Sequence, residues 1–158
     1  MSIGDNSYQK FTAFHNTGVN ELGWSSSFLL GFWQGDGWRN GMQGEGTTYA
    51  FSVGYTPRGG NHEFNFSLIG AGQWHHQAYY GTQLQDYLDY GPIQGDDYRK
   101  FNALYGDYQG EEFSILRNYY NKPLATFNWD WEISSRVTLA TSLYGSAGRG
   151  GGTGLRGR

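Results

Sequence analysis

The chain has 158 residues, a formal charge of −3 and no cysteine. That excludes a disulfide framework and thiolate metal sites, and leaves no basic surplus for nucleic acid or an anionic membrane surface. With 26 Gly, 13 Tyr, 10 Phe and 6 Trp but only 16% charged residues, the composition suits short aromatic strands joined by glycine-rich connections. It suits helices poorly, because each helical Gly costs about 1 kcal/mol relative to Ala.

No apolar run approaches the ~20 residues of a spanning helix; the densest is "FLLGFW", Phe28 to Trp33. The opening "MSIGDNSYQK" lacks the basic and apolar regions of a signal peptide.

About six segments read as strands, paired into hairpins. The first runs roughly Gln9 to Gly18. After a short turn at "VNELG" comes Trp24 to Gly35, with Ser26, Phe28, Leu30 and Phe32 on one face. Asp36 to Gly46 is a glycine-rich connection without periodicity. The third strand, Thr47 to Pro57, sets Tyr49, Phe51, Val53 and Tyr55 against Thr48, Ala50, Ser52 and Gly54. "RGGN", Arg58 to Asn61, makes a tight turn, since paired glycines supply positive φ at little cost.

The fourth strand, "HEFNFSLIGAGQW", sets Phe64, Phe66 and Leu68 against Glu63, Asn65 and Ser67. A long connection follows, Ala78 to Asn118, in which "DYRKFNALYG" suits a helical turn or two; a connection of this length is normally functional or disordered. The fifth strand, from about Tyr120 through "ATFNWDWEIS", carries Phe127, Trp129, Trp131 and Ile133 on one face and Thr126, Asn128, Asp130 and Glu132 on the other. A turn at Ser134, Ser135 and Arg136 leads to the sixth, Val137 to Gly148, with Leu139 on its apolar face. Arg149 onward reads as a surface loop cut short.

Connections therefore alternate between short and long. Ten-residue strands with two-residue alternation, short turns on one side and long loops on the other are the pattern of outer-membrane β-barrels. The second face, rich in Ser, Thr, Asn, Gly and Ala, fits a barrel lumen. Trp and Tyr near strand ends, as in "QWHHQAYY" and "NYYNKP", fit interfacial girdles.

The segment "TGVNELGWSSSFLLGFWQGDGWRNG" resembles a barrel segment of TonB-dependent receptors from Bacteroidetes-type bacteria, in which a strand ends in a "GDG-aromatic" surface turn. "NHEFNFSLIGAGQWHHQ" is similar to the following hairpin, and "YNKPLATFNWDW" and "TSLYGSAGRGGGTG" to the next two strands, in the family's order. The resemblance implies an all-β fold: an antiparallel meander of about six strands forming part of a transmembrane barrel wall, over residues 1–158. It implies a location in the outer membrane of a Gram-negative bacterium, and a role in importing a scarce nutrient such as a siderophore, haem, cobalamin, glycan or peptide.

Family receptors carry a plug domain, further barrel strands and an N-terminal motif that engages an inner-membrane energy transducer. None is recognisable here, and Arg158 is not the terminal aromatic strand on which such barrels close. The chain therefore reads as an internal fragment. Its partners would be the lipid bilayer, the plug and remaining strands, the energy transducer and a small nutrient ligand, with no cofactor and no catalysis of its own. Phe51, Phe64, Phe66, Phe127, Trp129, Trp131 and Leu139 would face lipid. Asp130 and Glu132 would face the lumen.

Ligand contacts are expected from loop side chains: rigid rings stack on sugars or macrocycles at low entropic cost, and guanidinium groups pair with anionic ligands. Trp38, Trp74, Tyr79 and Tyr80 are the aromatic candidates, with Arg39, Arg99 and His76. His75 and His76 adjoin on a strand and should point to opposite faces. The acidic residues Asp86, Asp89, Asp96, Asp97, Asp107, Glu111 and Glu112 lack an EF-hand spacing and read as solvated charge rather than a metal site. "GRGGGTG" lacks the Gly-Lys-Ser/Thr ending of a phosphate loop.

Two other readings compete. One is a soluble carbohydrate-binding β-sandwich. The other is a jelly-roll glycoside hydrolase using Asp130 and Glu132, which share a face about 7 Å apart along the strand, a separation at which glycosidase carboxylates work.

Overall fold

The computed structural model describes residues 1–79 and 81–155. The chain is all-β, an antiparallel meander, with a small helical and hairpin insert in its longest connection. The order is β1 (Ser2–Ile3), β2 (Gln9–Asn16), β3 (Trp24–Gly35), β4 (Gly44–Tyr55) and β5 (His62–His76). The insert follows: α1 (Leu84–Tyr90), single 3-10 turns at Gly91–Gln94 and Tyr98–Lys100, and a hairpin of β6 (Tyr105–Tyr108) and β7 (Glu111–Ser114). The sheet resumes with β8 (Arg117–Asn121), β9 (Leu124–Ser134), β10 (Val137–Ser146) and β11 (Arg149–Gly152).

One nine-stranded sheet contains every strand except β6 and β7, which pair only with each other. Both β8 and β9 pair with β5, and their register is unchanged across Lys122 and Pro123. They are one long strand interrupted where proline has no N–H to give to the ladder. β10 and β11 likewise continue in one register along β9 and β8. The expected meander of about six strands is therefore present.

One sequence expectation is corrected. Arg149 onward does not begin a loop: Arg149–Gly152 is strand, paired with Asn118–Asn121. "DYRKFNALYG" holds the 3-10 turn Tyr98–Lys100, within the helical turn or two expected of it, and the helix α1 precedes it. The long connection also carries the β6–β7 hairpin.

Short turns gather at one end of the sheet. Asn20 organises the first: its Oδ1 accepts from the N–H groups of Leu22 and Trp24 at 2.9 and 3.0 Å. Gly23 then adopts φ 87° and donates to the Asn20 carbonyl at 3.0 Å. A Cβ there would overlap the Thr56 carbonyl, and the Thr56 N–H donates to the Gly23 carbonyl at 2.9 Å. The first two short turns are thus pinned together. The tight turn at Arg58–Asn61 closes with Gly60 N–H donating to the Pro57 carbonyl at 3.0 Å, and Gly59 takes φ 64°.

Register separates the two faces of the sheet. On one face Trp24, Tyr55, Phe64 and Trp129 form a row, followed by Ser26, Val53, Phe66, Phe127 and Leu143, then Phe28, Phe51 and Leu68. Trp131 and Leu139 are paired beside it. All seven residues expected on one apolar face are therefore together. Among the described residues nothing is packed over it: Phe51 is 45% exposed, Phe66 42%, Leu139 42% and Phe127 38%. Rings on this face lie against one another, with Trp129 parallel to Trp131 at 6.1 Å, Phe64 parallel to Trp129 at 6.4 Å, and Trp24 stacked on Tyr55 at 4.4 Å.

The other face is small and polar. Asn65 Nδ2 and Ser67 Oγ both donate to Ser52 Oγ at 3.0 Å, and the Ser142 hydroxyl bonds to Asn128. Among the described residues, the buried apolar side chains (Ala78, Phe101 and Leu104) sit in the insert and not on the sheet.

Candidate functional site

The long connections meet at the end of the sheet opposite the short turns. There, Asp36–Gln43 is bound to the insert by a polar knot. Asn102, 1% exposed, donates from Nδ2 to the Asn40 carbonyl at 2.9 Å and accepts from the Leu104 N–H at 3.1 Å. Gln94 accepts from the Asn102 N–H at 3.0 Å and donates to the carbonyls of Asn102 and Tyr105, both at 2.8 Å. Asn40 donates back to the Gln94 carbonyl at 3.2 Å, and its own N–H reaches the Lys100 carbonyl at 2.9 Å. A buried polar network of this kind fixes one arrangement because each unmade bond carries a desolvation cost. Gly41, at φ 67°, lets the Tyr105 ring lie directly on its backbone.

This framework divides the sequence-predicted ligand residues into separate groups. Arg39 donates to the Tyr79 carbonyl at 3.3 Å and lies over the Tyr87 ring at 5.8 Å. Trp38 is 52% exposed and Tyr79 53%. Trp38 and Arg39 border a hollow of about 400 Å³ that also includes Asp36, Lys100, Tyr105 and Glu112. Burial and then the Glu112 carboxylate hold the Tyr105 phenol above its usual range. Arg99 stands apart, bound through Nε to Asp97 at 2.7 Å; that guanidinium holds the Asp97 carboxyl below the usual range. Tyr80 lies outside the described residues.

Trp74 and His76 belong to a second group on the apolar-face side of β5. Trp74 Nε1 donates to Glu45 Oε1 at 2.8 Å. The Arg117 guanidinium lies 4.2 Å from the Trp74 ring centroid, and His76 packs against that ring at 5.3 Å. His75 points the other way, towards Gln77. Glu45, Trp74 and Arg117 border a hollow of about 630 Å³ with Phe32, Tyr119, Tyr120, Asn121 and Arg149.

Sequence reasoning did not single out Glu45, Arg117 or Arg149. The signal available was register: Arg117 pairs with His76 and Glu45 with Trp74, so both share a face with the expected residues.

Asp130 and Glu132 fall on the polar face, with Glu63 directly across from Asp130. They border a shallow hollow at the short-turn end with Thr138 and His62. Among the described residues, no three acidic or histidine side chains are grouped to hold a metal ion. No helix among them is long and apolar enough to cross a membrane, which has no bearing on strands. Comparison with known proteins finds no family model, no curated protein and no solved structure that matches this chain.

Proposed function

We propose that the chain is a stretch of wall from the barrel of a TonB-dependent outer-membrane receptor, with its connected loops forming part of the ligand-capturing rim. The observation that carries this reading is the bare apolar face, a continuous surface of Phe, Leu, Val and Trp. Leaving such a face in water is costly, at about 25 cal/mol for each Å² that hydrocarbon would cover. The opposite face, hydrogen-bonded through Ser, Asn and Thr, suits a wet lumen.

Dimensions support the same reading. Phe64 in the aromatic row at the short-turn end and Trp74, paired with Tyr119 in an upper aromatic row at the loop end, lie about 33 Å apart along β5 at ~3.3 Å per residue. A strand tilt of ~40° projects this to about 25 Å, the height of the apolar band between the two girdles of an outer-membrane barrel. The short turns then lie on the periplasmic side. The knotted loops lie outside, where Trp38, Arg39 and Lys100 face solvent around one hollow. Edge pairing fits as well. Among the described residues β10 pairs with β9 alone, and β2 meets β3 fully but β1 at only two positions. In hydrocarbon those edges need neighbouring strands, because each unpaired backbone group costs several kcal/mol.

Nutrient import with energy from the inner membrane is the activity this wall would serve, and the ligand would be caught at the rim. The test is fractionation of the full chain in its host. An outer-membrane wall remains in the pellet after an alkaline carbonate wash and shifts on gels with heating. A sugar-binding sandwich would appear in the soluble fraction, and its ring-bearing face would be covered.

A further inference from the structure

The wall reading leaves unused the hollow of about 630 Å³, which lies on the apolar side of the sheet at the level of Trp74 and Tyr119. Its floor is bare backbone at Gly72, which brings no side chain between Thr47 and Asn121. Phe32, Trp74 and Tyr119 form its sides, and Arg117 and Arg149 stand over it. Register sets Arg117 opposite His76 and Arg149 opposite Asn121. Their backbones are about 14 Å apart, at ~3.3 Å per residue along β8 and ~4.8 Å between strands.

Among the described residues, neither guanidinium has a carboxylate within ion-pair distance. The hollow's single carboxylate, Glu45, is engaged by Trp74 Nε1. Its charge is therefore net positive, and Arg117 is held in place by the Trp74 ring 4.2 Å beneath it. On the same face, one row of Leu30, Tyr49 and Gly70 lies between the hollow and the band of Phe28, Phe51 and Leu68.

We propose that this hollow seats the phosphate-bearing headgroup of an outer-leaflet lipid whose acyl chains lie along that band. The proposal rests on the wall reading. Paired guanidinium groups recognise phosphate through charge-assisted hydrogen bonds. Aromatic sides at headgroup depth suit the sugar and glycerol portions of such lipids. The separation of the two arginines frames a headgroup or two phosphates rather than one small anion.

The test uses the full chain extracted in non-ionic detergent, stripped of lipid and titrated with diphosphorylated lipid A or its dephosphorylated form. Native mass spectrometry reads retention. The phosphorylated lipid should be retained at least about 10-fold more tightly than the dephosphorylated one, and R117Q/R149Q should remove about 10-fold or more of that affinity. R117K/R149K should restore most of it, and millimolar inorganic phosphate should not displace the lipid. Equal retention by R117Q/R149Q overturns the proposal, as does displacement by inorganic phosphate, which would mark a free-phosphate site. A carbonate wash separates the two levels of failure. If the native chain stays in membranes while retention ignores both arginines, only the headgroup site is lost. If the native chain leaves the membrane, the wall reading falls and this site with it.

Discussion

Placing an arginine at Phe51 probes the bare face where the account commits itself most. Phe51 pairs with Phe28 on one side and Leu68 on the other, near mid-height between the aromatic rows, and is 45% exposed. A phenylalanine offers roughly 200 Å² of surface, so about 90 Å² is left for lipid to cover, worth about 2 kcal/mol at 25 cal/mol per Å². An arginine near the bilayer midplane adds about 2–4 kcal/mol. Phe51→Arg should therefore destabilise the membrane-inserted chain by about 4–6 kcal/mol. Thr48→Arg, on the polar face three positions earlier in β4, should cost less than about 1 kcal/mol because its side chain enters water. Both are read by denaturant unfolding from vesicles, followed by tryptophan emission. The reasoning fails if the two substitutions cost the same, because both faces would then meet the same solvent.

Other outcomes follow from particular contacts. Asn102→Ala removes a fully buried amide and orphans the Asn40 carbonyl and Leu104 N–H, at about 1–3 kcal/mol for each group. Hydrogen exchange should accelerate across the insert and residues 36–43 while β3–β5 remain protected, and equal loss in the sheet would show that the knot is not a local device. Gly23→Ala forces a left-handed backbone costing about 1–2 kcal/mol, and its Cβ overlaps the Thr56 carbonyl. Unfolding should therefore shift by about 2–4 kcal/mol, with Gly18→Ala a milder control because nothing lies near its Cβ. The Asp97 carboxyl is depressed by Arg99, so the pair's contribution is present above the ordinary aspartate pKa of about 4 and fades as pH falls through the folded value. An NMR titration of Asp97 should move up towards the ordinary midpoint in Arg99→Gln, and an unmoved midpoint would exclude the ion pair as the cause.

Sheet and insert differed in how far the sequence revealed them, for physical reasons. The alternation of Phe127, Trp129 and Trp131 with Asn128, Asp130 and Glu132 is visible because a strand whose two faces have unlike surroundings must alternate. The short turns were legible through Asn20 and the paired glycines of "RGGN". Arg149–Gly152 was not, because "RGGG" has no alternation and is a strand only because β8 lies alongside to pair with it. The insert escaped for a different reason: Asn102 and Gln94 hold it together through backbone carbonyls of residues distant in sequence, and no periodicity records such bonds. The candidate rim was legible by residue type alone. Trp38, Arg39 and Tyr79 converge, whereas Arg99 is taken up by Asp97, and Arg117 gained its place by register.

The central claim is that one face of this sheet meets lipid and the other meets water. The chain has no native cysteine, so single cysteines can be placed at successive positions of β4 from Thr48 to Gly54 and challenged in intact outer membranes with a membrane-impermeant maleimide. The account predicts labelling with a period of two: Thr48, Ala50 and Ser52 react, while Tyr49, Phe51 and Val53 are protected until detergent and denaturant are added. Labelling of Phe51→Cys and Val53→Cys as fast as their neighbours would contradict it.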